Sequence, residues 1–284
     1  MHHVFSTTFQ KAAKGLPSAA FLRFELPMTI PLSVFIITKN EEVRILRTLQ
    51  SVREWAAEVI VVDSGSTDRT VEIAKSNGAR VLHNDWTGYG PQKRFAEEQC
   101  TNRWVLNIDA DEVVSPDLAV EIIMLFTDKP DGPEPAGYNV PILNVYPGDI
   151  YPRPFANDYN VVRLYHLDAG RYRDHPVYDR VEIDTSKVGQ LKAALFHHSI
   201  VDWEHMVDKA NRITSHEIDR VARKSSFELR LRLVTEFPLM FVRAYIFRRH
   251  VFGGWKGFVF ALNAAFLRTM RIAKALERKQ SSAT

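Results

Sequence analysis

"VVDSGSTDRT", residues 61–70, runs an apolar stretch into an acid, Asp63, and then into small polar residues and a second acid, Asp68. Two readings are open. An ordinary strand–turn–helix would use Thr67 or Asp68 near the helix start, because Ser, Thr and Asp satisfy the free N–H groups of a first turn. A ligand site would put Asp63 at the carboxyl end of a parallel sheet, where open α/β sheets bind. The flanking pattern decides the architecture. Leu32–Ile37, Val59–Val62, Ala79–Leu82 and Trp104–Ile108 are strand-like apolar runs. A helical stretch follows each: about Glu41–Arg53 (with Val43, Leu46, Leu49 and Val52 near helical spacing), Val71–Ser76, Gln92–Gln99, and from about Pro116, a residue suited to a first turn. Strands alternating with helices predict βαβ units and a largely parallel sheet.

From Lys129 to Gly148 Pro and Gly become frequent, and short β-type runs follow at Tyr138–Val145, Val161–Tyr165, Val177–Ile183 and Leu191–Phe196. They predict a mixed extension of the sheet, its strands flanking a cleft. From Asp202 the pattern turns helical, with Trp203, Met206, Val207, Ala210 and Ile213 on one stripe. Val201–Thr284 carries 16 Lys/Arg against 8 Asp/Glu, leaving 21 and 26 of the chain's 37 and 34 for the rest. The net charge of +3 therefore conceals an acidic part and a basic part. The organisation reads as an N-terminal extension over 1–28, expected to be flexible, an α/β domain over 29–200, and a basic, amphipathic helical region over 201–284.

The 284 residues suit one large domain with an appendage. A composition 45% hydrophobic and 25% charged is that of a soluble globular chain, which argues against disorder and against a polytopic membrane protein. The one cysteine, Cys100, excludes an internal disulfide and any multi-cysteine metal motif, and fits a reducing compartment. Residues 1–27 lack the apolar run of a signal peptide, and Met28 stands as an alternative start.

Three of the four apolar runs end in polar or acidic residues: Thr38-Lys39-Asn40-Glu41, Asp63, and Asp109-Ala110-Asp111-Glu112. In a parallel sheet these ends share one edge. Any one fits a solvated turn; all three together point to a site. The Asp-x-Asp element is the most telling, since carboxylates two apart at a strand end can converge on a hard cation. Mg²⁺ and Mn²⁺ prefer oxygen ligands and keep positions open for substrate phosphates. A metal at Asp109 and Asp111 would neutralise the leaving diphosphate of a nucleotide.

The segments "VFIITKNEE", "EVIVVDSGSTDRTVEIAKSNGARV", "GYGPQKRFAEEQ" and "WVLNIDADEVVSPDL" resemble, in that order, the nucleotide-sugar half of family 2 glycosyltransferases. More narrowly, the chain resembles the lipopolysaccharide-core β-1,4-glucosyltransferases of the WaaE/KdtX type. The similarity runs from about Pro31 to Lys274 and is densest over Pro31–Leu118. It implies a GT-A fold: an α/β, Rossmann-like domain with a mostly parallel central sheet flanked by helices, here with a C-terminal helical extension. It also implies an inverting transferase that moves a hexose, glucose from UDP-glucose, to a lipid-linked core sugar. Such an enzyme would be cytoplasmic, peripheral to the inner membrane, dependent on Mg or Mn, and without a nucleic-acid partner. Carried over by position, Thr38, Asn40 and Glu41 would line the nucleoside pocket and Asp63 would hydrogen-bond the uracil. Lys93 would lie close to the nucleotide, and Asp109 and Asp111 would hold ribose, metal and diphosphate.

Inverting transfer also needs a base to take the acceptor's proton. Many relatives have Val-His-Glu where this chain has Val177-Tyr178-Asp179, within "RDHPVYDRV". Asp179 keeps a carboxylate and is the candidate base, with Asp174 and His175 in reserve; a plain ion pair of Asp179 with Arg180 or Arg173 is the competing reading. His197 stands where the family tends to have a histidine, as a third metal ligand or diphosphate contact, against the plainer reading of a satisfied strand-end histidine. His198 and His205 extend the same question. The aromatic segment Tyr146–Tyr159 would either stack on acceptor sugars or pack against the sheet.

A nicotinamide-dependent oxidoreductase requires a Gly-rich phosphate loop after the first strand, whereas "TKNEE" (38–42) has no glycine and places two acids there. A catalytically silent scaffold is opposed by the intact Asp63, Asp109 and Asp111. Within the enzyme class the alternative is a transferase acting on polyprenyl phosphate or another cell-envelope glycan; the former usually carries transmembrane helices. Here the longest uncharged stretch of the basic end, Gly257–Leu267, has 11 residues, short of the roughly 20 a bilayer needs. Phe237–Phe247 is apolar around Arg243 and is followed by Arg248-Arg249-His250. Beyond Gly253-Gly254, Trp255, Phe258, Val259, Leu262 and Phe266 recur at helical spacing beside Lys256, Arg268, Arg271 and Lys274. Apolar faces with basic flanks fit helices lying in a membrane surface, the alternative being helices packed wholly against the catalytic domain.

Overall fold

A computed structural model describes residues 29–281, apart from 128, 130, 131, 177, 178 and 217. The N-terminal extension and the alternative start at Met28 lie outside the described residues. These fall into two compact units, one within Met1–Leu143 and Asp158–His197, the other within Asn144–Asn157 and His198–Thr284.

The first unit opens with β1 (Ile30–Thr38), α1 (Ile45–Gln50), β2 (Ala56–Asp63), α2 (Thr70–Ser76), β3 (Arg80–His83), α3 (Tyr89–Glu98) and β4 (Trp104–Asn107). It continues through β5 (Glu112–Val114), α4 (Pro116–Thr127), β6 (Gly137–Asn144), β7 (Tyr159–His166), β8 (Gly170–Tyr172), β9 (Val181–Ile183), β10 (Val188–Gln190) and β11 (Leu195–His197). Its main sheet runs β3-β2-β1-β4-β7-β6-β11-β5, with β10 beside β6, while β8 and β9 form a separate hairpin-like pair. The strands β3, β2, β1 and β4 are mutually parallel; β7 runs antiparallel to both β4 and β6.

The continuous apolar run of β1 reflects helices on both faces, the usual condition of parallel strands. Leu32, Val34 and Ile36 pack with Ile45 and Leu49 of α1 and Leu118 and Ile122 of α4. Phe35 and Ile37 face the other way, against Ala96 of α3, Val105, Tyr165 and Tyr172. The architecture is thus the expected α/β one with a helical extension, and some local expectations change. The helix expected over Glu41–Arg53 narrows to Ile45–Gln50. The amides of Glu41 and Glu42 are spent instead on Thr70 Oγ1 and Asp68, at 2.7 and 3.2 Å. Val43 is 65% exposed in consequence. The strands β5 and β8, three residues each, are too short to show a period.

The second unit contains α5 (Trp203–His216), α6 (Ile218–Ala222), α7 (Ser226–Val242), a π turn over Arg243–Phe247 and α8 (Gly254–Ser281). Ser225 caps α7, its Oγ accepting from the Glu228 amide at 3.1 Å. Leu229, Ile272 and Ala275 form the small core between α7 and α8. The expected stripe on α5 divides: Met206 and Ala210 are buried, while Val207 and Ile213 are exposed. Two lysines expected on a membrane-facing surface are tied down within the unit. Lys256 Nζ bonds Asp149 at 2.6 Å, and Lys274 Nζ donates to Asn211 Oδ1 and Thr214 Oγ1 at 2.7 and 2.9 Å. Tyr146 is buried, with its hydroxyl 2.7 Å from His250 Nδ1, and Phe155 packs on Phe252. Much of the Tyr146–Tyr159 segment therefore packs on helical elements. Among the described residues no helix is long and apolar enough to cross a membrane.

Cys100, just past α3, has its thiol pushed up to about 12, mainly by burial, with the charges of Glu58 and Glu97 adding to it. The thiolate is the reactive form. At pH 8 the native protein is expected to react with Ellman's reagent at least about tenfold more slowly than the chain in denaturant; equal rates would contradict this burial.

Candidate active site

The parallel register sets the edge. Thr38 pairs with Asp63 across β1 and β2, and β4 ends two residues before Asp109. The loops after β1 and β2 are sewn together. Asn40, in the left-handed region at φ 55, donates its amide to Ser66 Oγ and accepts from the Thr67 amide, both at 2.8 Å. Asp63 is buried, and its Oδ2 accepts from the amides of Gly65 and Ser66 at 2.9 Å each. Its Oδ1 accepts from Ser66 Oγ at 2.5 Å. Asp68 accepts from the Thr70 amide at the head of α2. The acids of the 61–70 stretch build the turn, and the turn sits at the carboxyl end of β2. Among the described residues, the buried Thr38 hydroxyl has no hydrogen-bond partner.

The Asp-x-Asp element is held by cations. Asp109 Oδ1 lies 3.0 Å from Lys93 Nζ, and its Oδ2 lies 3.0 Å from Arg163. Arg163, on β7, also pairs with Glu112 at 2.8 Å and donates to the Asn107 side chain. Asn107 accepts from the Tyr172 hydroxyl at 2.7 Å as well. Asp111 lies 3.3 Å from His197 Nε2 and 3.5 Å from Arg44, and Arg44 is clamped by Glu41. Burial on its own would raise the Asp109 carboxyl, but Arg163 and Lys93 hold it well below the usual carboxylate range. Lys93 is shifted upward: burial opposes its charge, and Asp109, Tyr172 and Asp179 together more than offset that. The same balance lowers Asp111 through His197 and raises His197 through Asp111, in each case against burial.

Lys93 reaches the acids because α3 begins against the segment that leads to Asp179. Gly88, at φ 132, and Gly90 lie so close to this segment that a Cβ would come within 2.4 Å of Pro176 and 2.3 Å of the Arg173 carbonyl. The Tyr89 amide donates to the Pro176 carbonyl at 3.1 Å. One turn on, Lys93 is 1% exposed and pairs with Asp179 Oδ2 at 3.0 Å. The partner of Asp179 is therefore Lys93, while Arg173 pairs with Glu182 at 3.2 Å.

Two clefts meet here. One of about 540 Å³ is lined by Thr38, Glu41, Ser64, Trp86, Tyr89 and Asp111, among others. The other, of about 450 Å³, is lined by Asn139, Tyr159, Asn160, Arg163, Tyr172 and Arg180, among others. Asp109, Asp179 and His197 line both. Asp174 and His175 line neither, and His205 accepts from the Val201 amide at 3.2 Å. Among the described residues no three His, Cys, Asp or Glu side chains converge as a ready metal site. The donor set still fits Mg²⁺ or Mn²⁺ completed by a diphosphate, since such ions are held by one or two carboxylates plus substrate phosphates. Asp111, beside His197 on the cleft, offers that chemistry with Asp109 close by in sequence.

Arg163, Arg44, Trp86 and Tyr89 were not singled out by the sequence. Each left a trace: an arginine inside the apolar run "VVRLY", one basic residue after the paired acids of "NEEVR", and two aromatics in the glycine-containing "WTGYG". The rings of Trp86 and Tyr89 meet edge to face at 4.8 Å.

Residues 33–167 match the family model described as Glycosyl transferase family 2. An "uncharacterized glycosyltransferase" of Rickettsia prowazekii is 39% identical over 251 residues, 86% of each chain. The lipopolysaccharide core biosynthesis glycosyltransferase LpsC of Rhizobium meliloti is 30% identical over 257 residues, covering 88% of this chain and 93% of that protein. Among solved structures, S. aureus TarS 1–349 aligns with a TM-score of 0.43 at 16% identity, over 88% of this chain and 91% of that one.

Removing one partner of a buried ion pair leaves a charge without compensation. Arg163→Met would do this to Glu112, which is 1% exposed. A loss of about 3–5 kcal/mol in chemical denaturation is expected; a loss below about 1 kcal/mol, the scale of a surface pair, would show the cluster to be slack.

Proposed function

This chain belongs to glycosyl transferase family 2, and on that premise we propose that it moves a hexose, with inversion, from a nucleotide sugar to a lipid-linked sugar of the lipopolysaccharide core. It is a glycosyltransferase of GT-A type, with a mixed α/β sheet and a C-terminal helical extension. The resemblance to the WaaE/KdtX type supports glucose from UDP-glucose, and the relative named for lipopolysaccharide core biosynthesis supports the acceptor. One observation carries the reading: two clefts, one for each substrate, share Asp109, Asp179 and His197.

The cleft beside β1 takes the nucleotide. Thr38 offers it a buried hydroxyl that has no hydrogen-bond partner among the described residues. A carboxylate has about four acceptor positions; three of those on Asp63 serve its own turn, which leaves one for an N–H of the base. Asn40 and Glu41 keep that wall in shape, through Thr67 and Arg44 respectively. Asp109 and Asp111, with His197, would hold a divalent cation, whose contribution when bound is to neutralise charge on the leaving diphosphate.

The second cleft takes the acceptor, among the amides of Asn139 and Asn160, the ring of Tyr159 and Arg180. The acceptor oxygen forms its bond to the anomeric carbon as the carbon–oxygen bond to the diphosphate breaks. The hydroxyl proton passes to Asp179. Lys93 grips Oδ2 of that carboxylate, which leaves Oδ1 to receive the proton. Lys93 thus fixes the base relative to Asp109, the residue on the donor side.

The helical unit supports the membrane assignment. Phe227, Leu231 and Val234 of α7 are 80%, 59% and 76% exposed, and Phe247 and Trp255 are 76% and 64% exposed. Arg230, Arg243, Arg248 and Arg249 are exposed among them. Apolar residues with basic neighbours suit the headgroup region of an anionic leaflet, where each Lys or Arg adds about 1 kcal/mol.

Asp179→Asn is expected to keep UDP affinity and lower transfer by about 10²–10⁴-fold, while Asp111→Ala keeps its melting curve and loses Mn²⁺-dependent UDP binding. Near-normal turnover in the first, or unchanged UDP binding in the second, would remove the role assigned. In sedimentation, the full chain should pellet with phosphatidylglycerol vesicles at low salt and be partly released as salt rises. Val234→Asp should weaken this. A parent protein that ignores such vesicles would end the membrane assignment and leave the transfer reaction standing.

A further inference from the structure

Two aromatic side chains on the wall of the first cleft have no role in the assignments above. Trp86 and Tyr89 line it and are 46% and 52% exposed. Their rings meet edge to face at 4.8 Å and 90°, an arrangement that leaves ring faces uncovered. Apolar surface held in water is unfavourable, and a ligand seated on it removes that cost.

Tyr89 is not free to fold away. It stands between Gly88 and Gly90, which lie against Pro176 and against the carbonyls of Arg173 and His175, and its amide donates to the Pro176 carbonyl at 3.1 Å. A platform fixed through its backbone costs little to order when a ligand arrives. Tyr89 also opens α3, with Lys93 one turn on, and side chains at i and i+4 share a helix face. Lys93 lies 3.0 Å from Asp109 and 3.0 Å from Asp179. The tyrosine is thereby set toward the end of the cleft where leaving group and base meet.

The polar lining matches the same kind of ligand. Asp109 and Asp111 line the cleft with the two rings, and carboxylates accept hydrogen bonds without donating any. Their contacts with Lys93, Arg163, His197 and Arg44 use part of the roughly four acceptor positions on each. A pyranose supplies both complements: faces of weakly positive C–H bonds, which settle on the negative face of an aromatic ring, and a rim of hydroxyl donors. Among the described residues Trp86 and Tyr89 line this cleft and not the second one, which ties them to the donor and not to the acceptor.

We infer that Trp86 and Tyr89 form the platform on which the hexose of the nucleotide sugar lies while still joined to its diphosphate, and that they set the affinity for the sugar half of the donor. This platform presupposes the donor site assigned above and adds to it the pair that holds the sugar by its face.

With Mn²⁺ present, the full chain is titrated calorimetrically with UDP, UDP-glucose, UDP-galactose and UDP-N-acetylglucosamine, and the nucleotide sugar bound most tightly is compared with UDP. Trp86→Ala and Tyr89→Ala should each leave the Kd for UDP within about twofold of the parent and raise that for the nucleotide sugar about tenfold, the scale of one lost aromatic contact surface. Trp86→Phe and Tyr89→Phe, which keep a ring, should recover most of the affinity. Trp86→Leu and Tyr89→Leu keep apolar bulk in the loop without a flat face; they should recover little, and they carry the test should an alanine variant fail to fold. Equal losses for UDP and for the nucleotide sugar would put the rings on the base and overturn the hexose platform. Unchanged nucleotide-sugar affinity in the variants, with native melting curves, would overturn it as well. A parent that binds neither UDP nor any of the three nucleotide sugars would instead remove the donor site itself, and the platform with it.

Discussion

A single buried ammonium holds the candidate site together. Lys93 lies 3.0 Å from Asp109 and 3.0 Å from Asp179 with almost no exposure of its own. A charge withdrawn from water costs several kcal/mol unless well-placed partners offset it. Lys93 can therefore occupy this position only while both carboxylates face it. Those carboxylates come from the end of β4 and from the segment before β9, and the lysine from α3, so one charge registers three distant pieces of chain. The near contact of Gly88 and Gly90 with the Arg173–Pro176 backbone follows from the same demand, because any side chain there would hold α3 off and pull the ammonium away.

Arg163 closes the arrangement from the other side. It occupies the second oxygen of Asp109 and reaches Glu112 and Asn107. With both oxygens of Asp109 directed at protein cations, the carboxylate has little freedom to turn. Asp111, by contrast, is held at 3.3 and 3.5 Å by His197 and Arg44, longer and looser contacts. Two acids of one short motif thus sit in different surroundings, the first gripped through both oxygens and the second held more loosely.

What could be read in the sequence follows the same physics. A strand covered on both faces must be apolar throughout, so β1, β2 and β4 announce themselves, and acids at the ends of such runs stand out. Local readings therefore singled out Thr38, Asp63, Asp109 and Asp111. The pairings across the site were hidden, since Lys93 and Asp179, both named from the resemblance, are 86 residues apart and nothing local relates them. Arg163 depends on β7 pairing antiparallel with β4, a neighbour set by the crossover rather than by any period. The same holds for Tyr146–Tyr159, whose aromatics suggested a sugar platform or a sheet contact: Tyr146 is committed to His250, 104 residues on, while Tyr159 lines a cleft. The stripe on α5 was legible and its burial was not: an amphipathic period says which residues share a face, and the tertiary packing decides how much of that face is covered.

The helix α8, 28 residues long, extends about 42 Å at 1.5 Å per residue and touches α5, α6, α7 and the turns between α7 and itself. The core it shares with α7 is small, three fully buried side chains, and α5 and α6 rest on the same rod. A unit built on one spine has little means of fraying piecemeal. Losing the spine removes the common partner of every other helix, so the unit should open as a single foldon, in one cooperative step rather than several. The packing of that core and the cap of α7 would then appear and vanish together, and a modest loss of stability anywhere along α8 would be felt throughout the unit.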